Sequence, residues 1–260
     1  MKILVCVKQV LDLEEETDFH IDDSGQSMVF DGPPVYQLNR FDDCAIEEAL
    51  LIKKAHTETL IDVITVGPER ADAVLRRAMG MGVDNGIHIM TSGEEIPNSF
   101  QIATWIGEYS KEQKYDLIFT GVMSEDEMQG QVGPMLAEVL GMPCATSVIK
   151  ETMMEGNDKI RVEREIEGGY RDVLELLMPA VLTIQTGINQ PRYPSLSNVL
   201  RAKKTEVNVI PSTTIAIPDK RQTIAKLNYP QKTRSAIRLE GSRRGKAEAL
   251  LRIFKEKSIL

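Results

Sequence analysis

Four short segments of the chain are almost continuously apolar: Lys2 to Val7, Leu60 to Val66, Tyr115 to Thr120 and Ala180 to Thr186. Runs of this length, rich in Val, Ile and Leu, suit strands buried on both faces. Between them, apolar residues recur three and four apart over Asp42 to Ala55, Ala71 to Met79, Ser99 to Gln113 and Gly130 to Leu140. That period is the one a helix needs to bury a single stripe. Strand and helix alternate, so the pattern predicts an α/β fold. The expected arrangement is a mainly parallel, doubly wound sheet with right-handed crossovers and helices on both faces.

Two interruptions have the period of a hairpin. Phe19 to Phe30 alternates around Asp22-Asp23-Ser24-Gly25, and Val148 to Met178 alternates around a turn at Glu155-Gly156-Asn157-Asp158 and again around Gly168-Gly169. From Gly187 onward Pro191, Pro194, Pro211 and Pro218 break any period, which predicts an extended arm. Arg243 to Lys257 then has Ala247, Leu250, Leu251 and Phe254 on one face, the pattern of an amphipathic helix. The expected division is a nucleotide-binding α/β domain over residues 1–187 and an arm over 188–260. A sticky terminal helix suits docking onto another chain, or folding back on its own domain.

Composition narrows the class. A chain of 260 residues with 42% hydrophobic side chains can bury a full core. Its 39 acidic residues against 31 basic ones give a formal charge of −8, which argues against nucleic acid and anionic membranes as partners. No apolar run approaches the roughly 20 residues that span a bilayer, and the N-terminal run is too short for a signal peptide. The expectation is a soluble cytoplasmic protein without membrane insertion. Cys6, Cys44 and Cys144 are far apart, odd in number and outside C-x-x-C spacing, so they read as small buried hydrophobes.

Candidate chemistry is sparse. His20, His56 and His88 fall in a hairpin, at a helix end and in a strand, without metal-ligand or triad spacing. They read as surface or edge histidines. Acidic pairs such as Asp42-Asp43 and the run Glu125-Asp126-Glu127 suit solvated helix faces and caps. More informative is Gly121 to Pro134, which follows a buried strand and leads into a helix. Open parallel sheets bind ligands at that edge. Gly121, Gly130 and Gly133 would let backbone approach a phosphate held by the free N–H groups of the new helix, although glycine is also common at such turns with no ligand. Val66-Gly67-Pro68 is a weaker echo, and Asn39 precedes the first helix, where its amide would cap the helix or touch a ligand. Neither a P-loop nor a G-x-G-x-x-G fingerprint occurs.

The run Val162-Glu163-Arg164-Glu165-Ile166-Glu167-Gly168-Gly169, then Pro179 to Thr183, then Asn189-Gln190-Pro191-Arg192-Tyr193-Pro194-Ser195-Leu196, closely resembles the signature of electron transfer flavoprotein beta subunits. The likeness begins at Val5-Cys6-Val7-Lys8-Gln9-Val10, includes Asn39-Arg40-Phe41-Asp42, and reaches Arg201-Ala202-Lys203-Lys204. The resemblance implies an adenine nucleotide alpha hydrolase-like fold. It implies a heterodimer with an alpha subunit that carries the redox-active FAD, while this chain has no catalytic residues or metal of its own.

Carried over by position, the nucleotide contacts fall on Cys6, Val7, Asn39, Val66, Asp126, Gly130, Gln131, Val132 and Gly133. The nucleotide is AMP in ordinary carriers and a second FAD in electron-bifurcating ones. Gln131-Val132-Gly133-Pro134 resembles the FAD form of the loop, and Asn39-Arg40-Phe41-Asp42 the AMP form. Met128-Gln129 replaces the Asp-Thr pair of bifurcating members, which favours AMP.

Tyr193 to Lys204 matches the family's recognition loop. Leu196 takes the place of the leucine that anchors partner dehydrogenases, beside basic Arg201, Lys203 and Lys204. The implied role is to accept electrons from dehydrogenases such as acyl-CoA dehydrogenases and pass them to a quinone-linked or other acceptor. Two other classes compete. A regulatory module of the universal stress protein kind would need a G-x-x-G followed by Gly-Ser, which is not found. A nucleotide-using hydrolase would need a P-loop, a metal cluster or a nucleophile.

Overall fold

The computed structural model describes residues 1–12, 18–93, 97–154, 156, 158–215, 222–230 and 236–259. The strands are β1 (Lys2–Cys6), β2 (Gln9–Leu11), β3 (Phe19–Ile21), β4 (Met28–Phe30), β5 (Tyr36–Leu38), β6 (Leu60–Gly67), β7 (Asn85–Met90), β8 (Leu117–Gly121), β9 (Cys144–Met153), β10 (Lys159–Glu165), β11 (Arg171–Leu177), β12 (Ala180–Ile184) and β13 (Val207–Pro211). The helices are α1 (Arg40–Ala55), α2 (Asp72–Met81), α3 (Ser99–Ser110), α4 (Val132–Leu140), α5 (Leu196–Lys204) and α6 (Arg243–Glu256). Among the described residues no helix is long and apolar enough to cross a membrane.

Nine strands form one sheet in the order β11-β10-β9-β12-β8-β1-β6-β7-β13. The seven from β9 to β13 are parallel, while β10 runs antiparallel to both β9 and β11. The predicted α/β class is therefore present. Its cause is visible along β1, where Ile3 and Val5 pack into the layer beneath α1 and α2 while Leu4 and Cys6 pack beneath α3 and α4. Both faces are dry, so the strand reads as one apolar run instead of an alternation.

The second predicted hairpin becomes the three-stranded antiparallel end β9-β10-β11. Gly168 and Gly169 turn the chain between β10 and β11, each at φ +76°, a region that favours glycine. Glu155 and Asn157 of the expected turn lie outside the described residues. The first hairpin forms as β3 and β4, closed by Asp22 N donating to Ser27 O at 3.0 Å.

Residues after 187 are not simply extended. They form α5 and the edge strand β13, parallel to β7. The prolines flank these elements instead of breaking them. Pro194 precedes Ser195, whose hydroxyl caps α5 by accepting from Asn198 N at 3.3 Å. Pro211 ends an edge strand, where a missing N–H leaves no ladder bond unmade. Pro218 lies outside the described residues. His88, read as a surface or edge residue, is buried in β7 with Nε2 3.0 Å from Gly67 O. Cys6 and Cys44 are buried, and Cys144 is half-buried.

The described residues fall into two compact units, Met1–His20 with Val29–Ile224, and Ile21–Met28 with Ala225–Leu260. In the second, Leu227 N donates to Gly25 O at 2.7 Å and Ile21 N donates to Tyr229 Oη at 2.9 Å. Ser242 caps α6, yet none of that helix is buried, and Leu250 and Leu251 face solvent.

In the first unit, α3 and α4 touch at Gly107, where an added Cβ would stand 2.5 Å from Val139 Cγ1. Alanine is the better helix former by up to about 1 kcal/mol, but overpacking costs about 1–3 kcal/mol and wins. Gly107→Ala is expected to lower the melting temperature, and Val139→Ala added to it is expected to restore most of the loss in a thermal melt.

Candidate functional site

The carboxyl ends of β1 and β8 are joined by one buried side chain. Asp42, in the first turn of α1, accepts from Lys8 N at 2.8 Å through Oδ2 and from Gly121 N at 2.9 Å through Oδ1. Gly121 has no room for more, since a Cβ there would overlap Asp42 Oδ1 and lie 2.6 Å from Phe41 Cβ. Burial pushes the Asp42 carboxyl up to about 7, against the opposing pull of these N–H groups, Asn39 and Lys8.

Lys8 makes the second tie. Its Nζ lies 2.8 Å from Asp126 Oδ1, 3.4 Å from Ser124 Oγ and 3.5 Å from Glu127 Oε2. Burial works to raise Asp126, but Lys8, Ser124 and Glu127 N together outweigh it and hold the carboxyl below its usual range. Asn39 makes the third tie, donating from Nδ2 to Met123 O at 2.9 Å and accepting from Glu125 N at 3.2 Å. Its amide therefore does not cap α1, one of the two roles the sequence suggested for it. It clamps the loop after β8 to the start of α1.

That loop ends at α4. Gln131 occupies the cap position, Pro134 has no N–H, and Met135 N already donates to Gln131 O. Among the described residues the N–H groups of Val132 and Gly133 have no partner, and no acidic residue occupies the first turn. Such a helix start attracts an anion. Gly130 enters it at φ +62°.

Gly133 also has a packing duty. A Cβ there would lie 2.5 Å from Thr183 Cγ2 and 2.8 Å from Thr120 Oγ1, so its absence lets α4 lie against β8 and β12. Cys6 ends β1 and Val7 follows it. Val7 N donates to Ile64 O, and Val7 O accepts from Thr65 Oγ1 at 2.8 Å. Val66 stands on β6, two residues beyond Ile64, the partner of Cys6. The Cys6 thiol is pushed far up by burial, and next by Asp42.

Across the first unit, α5 exposes Leu196 at 76%, Leu200 at 53% and, just before it, Tyr193 at 89%. Ala202 is buried in the core. Arg201, Lys203 and Lys204 occupy the last turn, and among the described residues none has an ion pair. Leu196 is thus helical and solvent-facing, not a packed core leucine. A cleft of about 570 Å³ lies between α1, α2 and residues 186–193. Its guanidiniums are each matched by a carboxylate: Arg40 by Glu125, Arg77 by Asp43 and Arg192 by Glu47.

Residues 29–215 match the family model described as electron transfer flavoprotein domain. The chain is 32% identical to the electron transfer flavoprotein subunit beta of Methylophilus methylotrophus over 98% of each chain. It is 35% identical to the Mus musculus subunit over 81% of each, and 36% identical to that of Bacillus subtilis over 78% of this chain and 76% of the relative. The chain belongs to the electron transfer flavoprotein beta-subunit family. The matched region of this electron transfer flavoprotein chain includes the loop after β8, α4 and α5.

In this family member the segment before α5 is pinned to α1. Asn189 Nδ2 donates to Cys44 O at 2.9 Å and to Glu48 Oε2 at 2.7 Å. Arg192 grips Glu47 through Nε and Nη2, both at 2.7 Å. Behind them the carboxyl of Glu48 neighbours that of Glu151 of β9, and burial pushes both upward, which favours a proton between them. Burial, then Glu48, pushes the Glu151 carboxyl up to about 7. Asp42, read from the sequence as one of the acidic pairs of solvated faces and caps, is instead buried, as are Glu47 and Glu48; Lys8 and Glu151 were given no role. A lysine directly after an apolar strand and an aspartate opening a buried helix are the signals that were available.

A carboxyl raised on folding contributes stability that is present below its ordinary value and lost as pH rises through its folded value. For Glu151 that window runs from 4.5 to about 7. The melting temperature is expected to fall as pH rises from about 5 to about 8. Glu151→Gln, which keeps a donor toward Glu48 without a titrating proton, is expected to flatten much of that slope and leave the Asp42 share.

Proposed function

We propose that this chain is the nucleotide-holding and docking subunit of a heterodimeric electron carrier. Its alpha partner would hold the redox-active FAD, and the chain would accept no electrons by itself. The observation that carries the reading is Leu196, 76% exposed at the start of a capped helix whose last turn bears three cations that have no ion pair among the described residues. An apolar anchor on a helix with a basic last turn suits brief, steered contact with an acidic redox partner. Dehydrogenases such as acyl-CoA dehydrogenases would be the donors, with a quinone-linked or other acceptor downstream. The uncovered α6 suits docking of the C-terminal arm on the alpha subunit. The free cysteines fit a reducing, cytoplasmic setting.

The start of α4 would hold the phosphate of an adenine nucleotide through Val132 and Gly133 N–H, with Gly130 and Gln131 approaching it and Cys6, Val7 and Val66 walling the base side. Asn39 and Asp126 would act one step removed, by fixing the loop. We favour AMP because Gln129, in place of a hydroxyl or carboxylate, has its amide oxygen taken by Ser99 Oγ at 3.0 Å. A second FAD would instead mark a bifurcating carrier, in which bound flavin supplies paired and single electron transfer.

Acid release and mass analysis of the co-purified ligand is expected to yield one FAD and one AMP per heterodimer; neither AMP nor a second flavin refutes the assignment. Val132→Glu places an acid where a helix start tolerates it but a phosphate does not. It is expected to lose the nucleotide and to melt like nucleotide-stripped parent protein. Leu196→Ala is expected to leave melting and nucleotide content unchanged while weakening the dehydrogenase complex about ten- to hundredfold, the loss of roughly 1.5–3 kcal/mol of leucine burial. A large drop in melting temperature, or an unchanged affinity, defeats the docking role.

A further inference from the structure

A nine-residue helix has little stability of its own in water, so α5 needs external fixing. Its start is held by the Ser195 cap and by Arg192 on Glu47. Its end is held from α2. Arg76 Nη1 donates to Ala202 O at 2.7 Å and also to Thr205 O, while Nε donates to Asp72 Oδ2 at 2.9 Å one turn back along α2. Helix-terminal carbonyls lack intrahelical partners and carry partial negative charge. A guanidinium meets them with donors in a fixed fork, and Asp72 holds that fork still. Nearby, Gly80 allows the close approach, since a Cβ there would stand 3.2 Å from Pro194 Cβ and 3.6 Å from Val199 Cγ2.

We infer that Arg76 is the positioning residue of the docking helix: it fastens the end of α5 to α2 and so fixes the direction in which Leu196 and the terminal cations meet a redox partner. The inference rests on the reading of Leu196 as the docking anchor. A second effect follows from the same bonds. Because Arg76 satisfies the Ala202 and Thr205 carbonyls, Arg201, Lys203 and Lys204 are not drawn back to cap their own helix. They stay available to acidic groups on a partner, and a surface fixed in advance does not have to be ordered at the moment of contact.

The test uses the assembled heterodimer carrying Arg76→Ala or Arg76→Lys, the latter keeping one donor without the fork. Hydrogen exchange of the α5 amides is expected to accelerate about five- to tenfold, the scale of one charge at a helix terminus, with the sheet amides unchanged. With an acyl-CoA dehydrogenase as electron donor, the apparent KM for the heterodimer is expected to rise by a similar factor at unchanged kcat and nucleotide content, less for lysine than for alanine. In a Leu196→Ala background the Arg76 substitutions are expected to add little, because their effect runs through the same anchor.

Unchanged α5 exchange overturns the inference. So does a KM that responds to Leu196→Ala but to neither Arg76 variant, and so does exchange that rises evenly through sheet and helix, which marks a residue of general stability. If Leu196→Ala leaves KM unchanged, the docking reading falls instead, and the exchange measurement alone decides whether Arg76 holds α5.

Discussion

A carboxylate buried where two strands end is the constraint on which the site depends. Asp42 sits at the positive end of α1 and receives the first free N–H beyond β1 and the last of β8. Without it those amides would be buried donors lacking acceptors, each costing about 1–3 kcal/mol. With it, two loops leave the sheet at a common level. The loop toward α4 is then tied by Lys8 and Asn39, so the open N–H groups at its end are held by bonds on its other side.

α1 is the frame for both proposed roles. Asn39 just before it and Asp42 in its first turn organise the proposed nucleotide side. One and two turns further, Cys44 O, Glu47 and Glu48 hold the segment that leads to α5. The helix thus uses its acidic residues inward, on two different loops, which accounts for its unusual share of buried carboxylates. A shift of α1 would be felt at both places.

The buried strands and amphipathic helices were legible because their periods follow from burial alone. The exposed character of Leu196 was not legible in this way: Val199 and Leu200 follow three and four residues on, as for a packed stripe, and only the family resemblance pointed to an exposed anchor. What could not be read is the direction of polar side chains. Asn39 before a helix suggests a cap by composition, yet its amide reaches residues 84 and 86 positions away. Gly133 suggests a phosphate turn, but two threonines from separate strands decide its size. The segment after Gly187 misled for another reason, because prolines that bracket an element and prolines that break one look the same until the ends are known. His88 was misjudged because its strand is only revealed as internal once β13 covers it.

The position of β1 has a bearing on how the chain comes to be made. It leaves the ribosome before either of its neighbours, since β6 and β8 both lie downstream, the farther ending at Gly121. Until β8 has emerged, an apolar strand meant for the middle of a sheet has at least one open edge, the situation that invites pairing with a neighbouring chain. The β9-β10-β11 end has no such wait, since its partners are consecutive. Nascent copies are therefore most exposed to misassembly between the synthesis of β1 and that of β8, and a chaperone or slowed translation would act there to greatest effect.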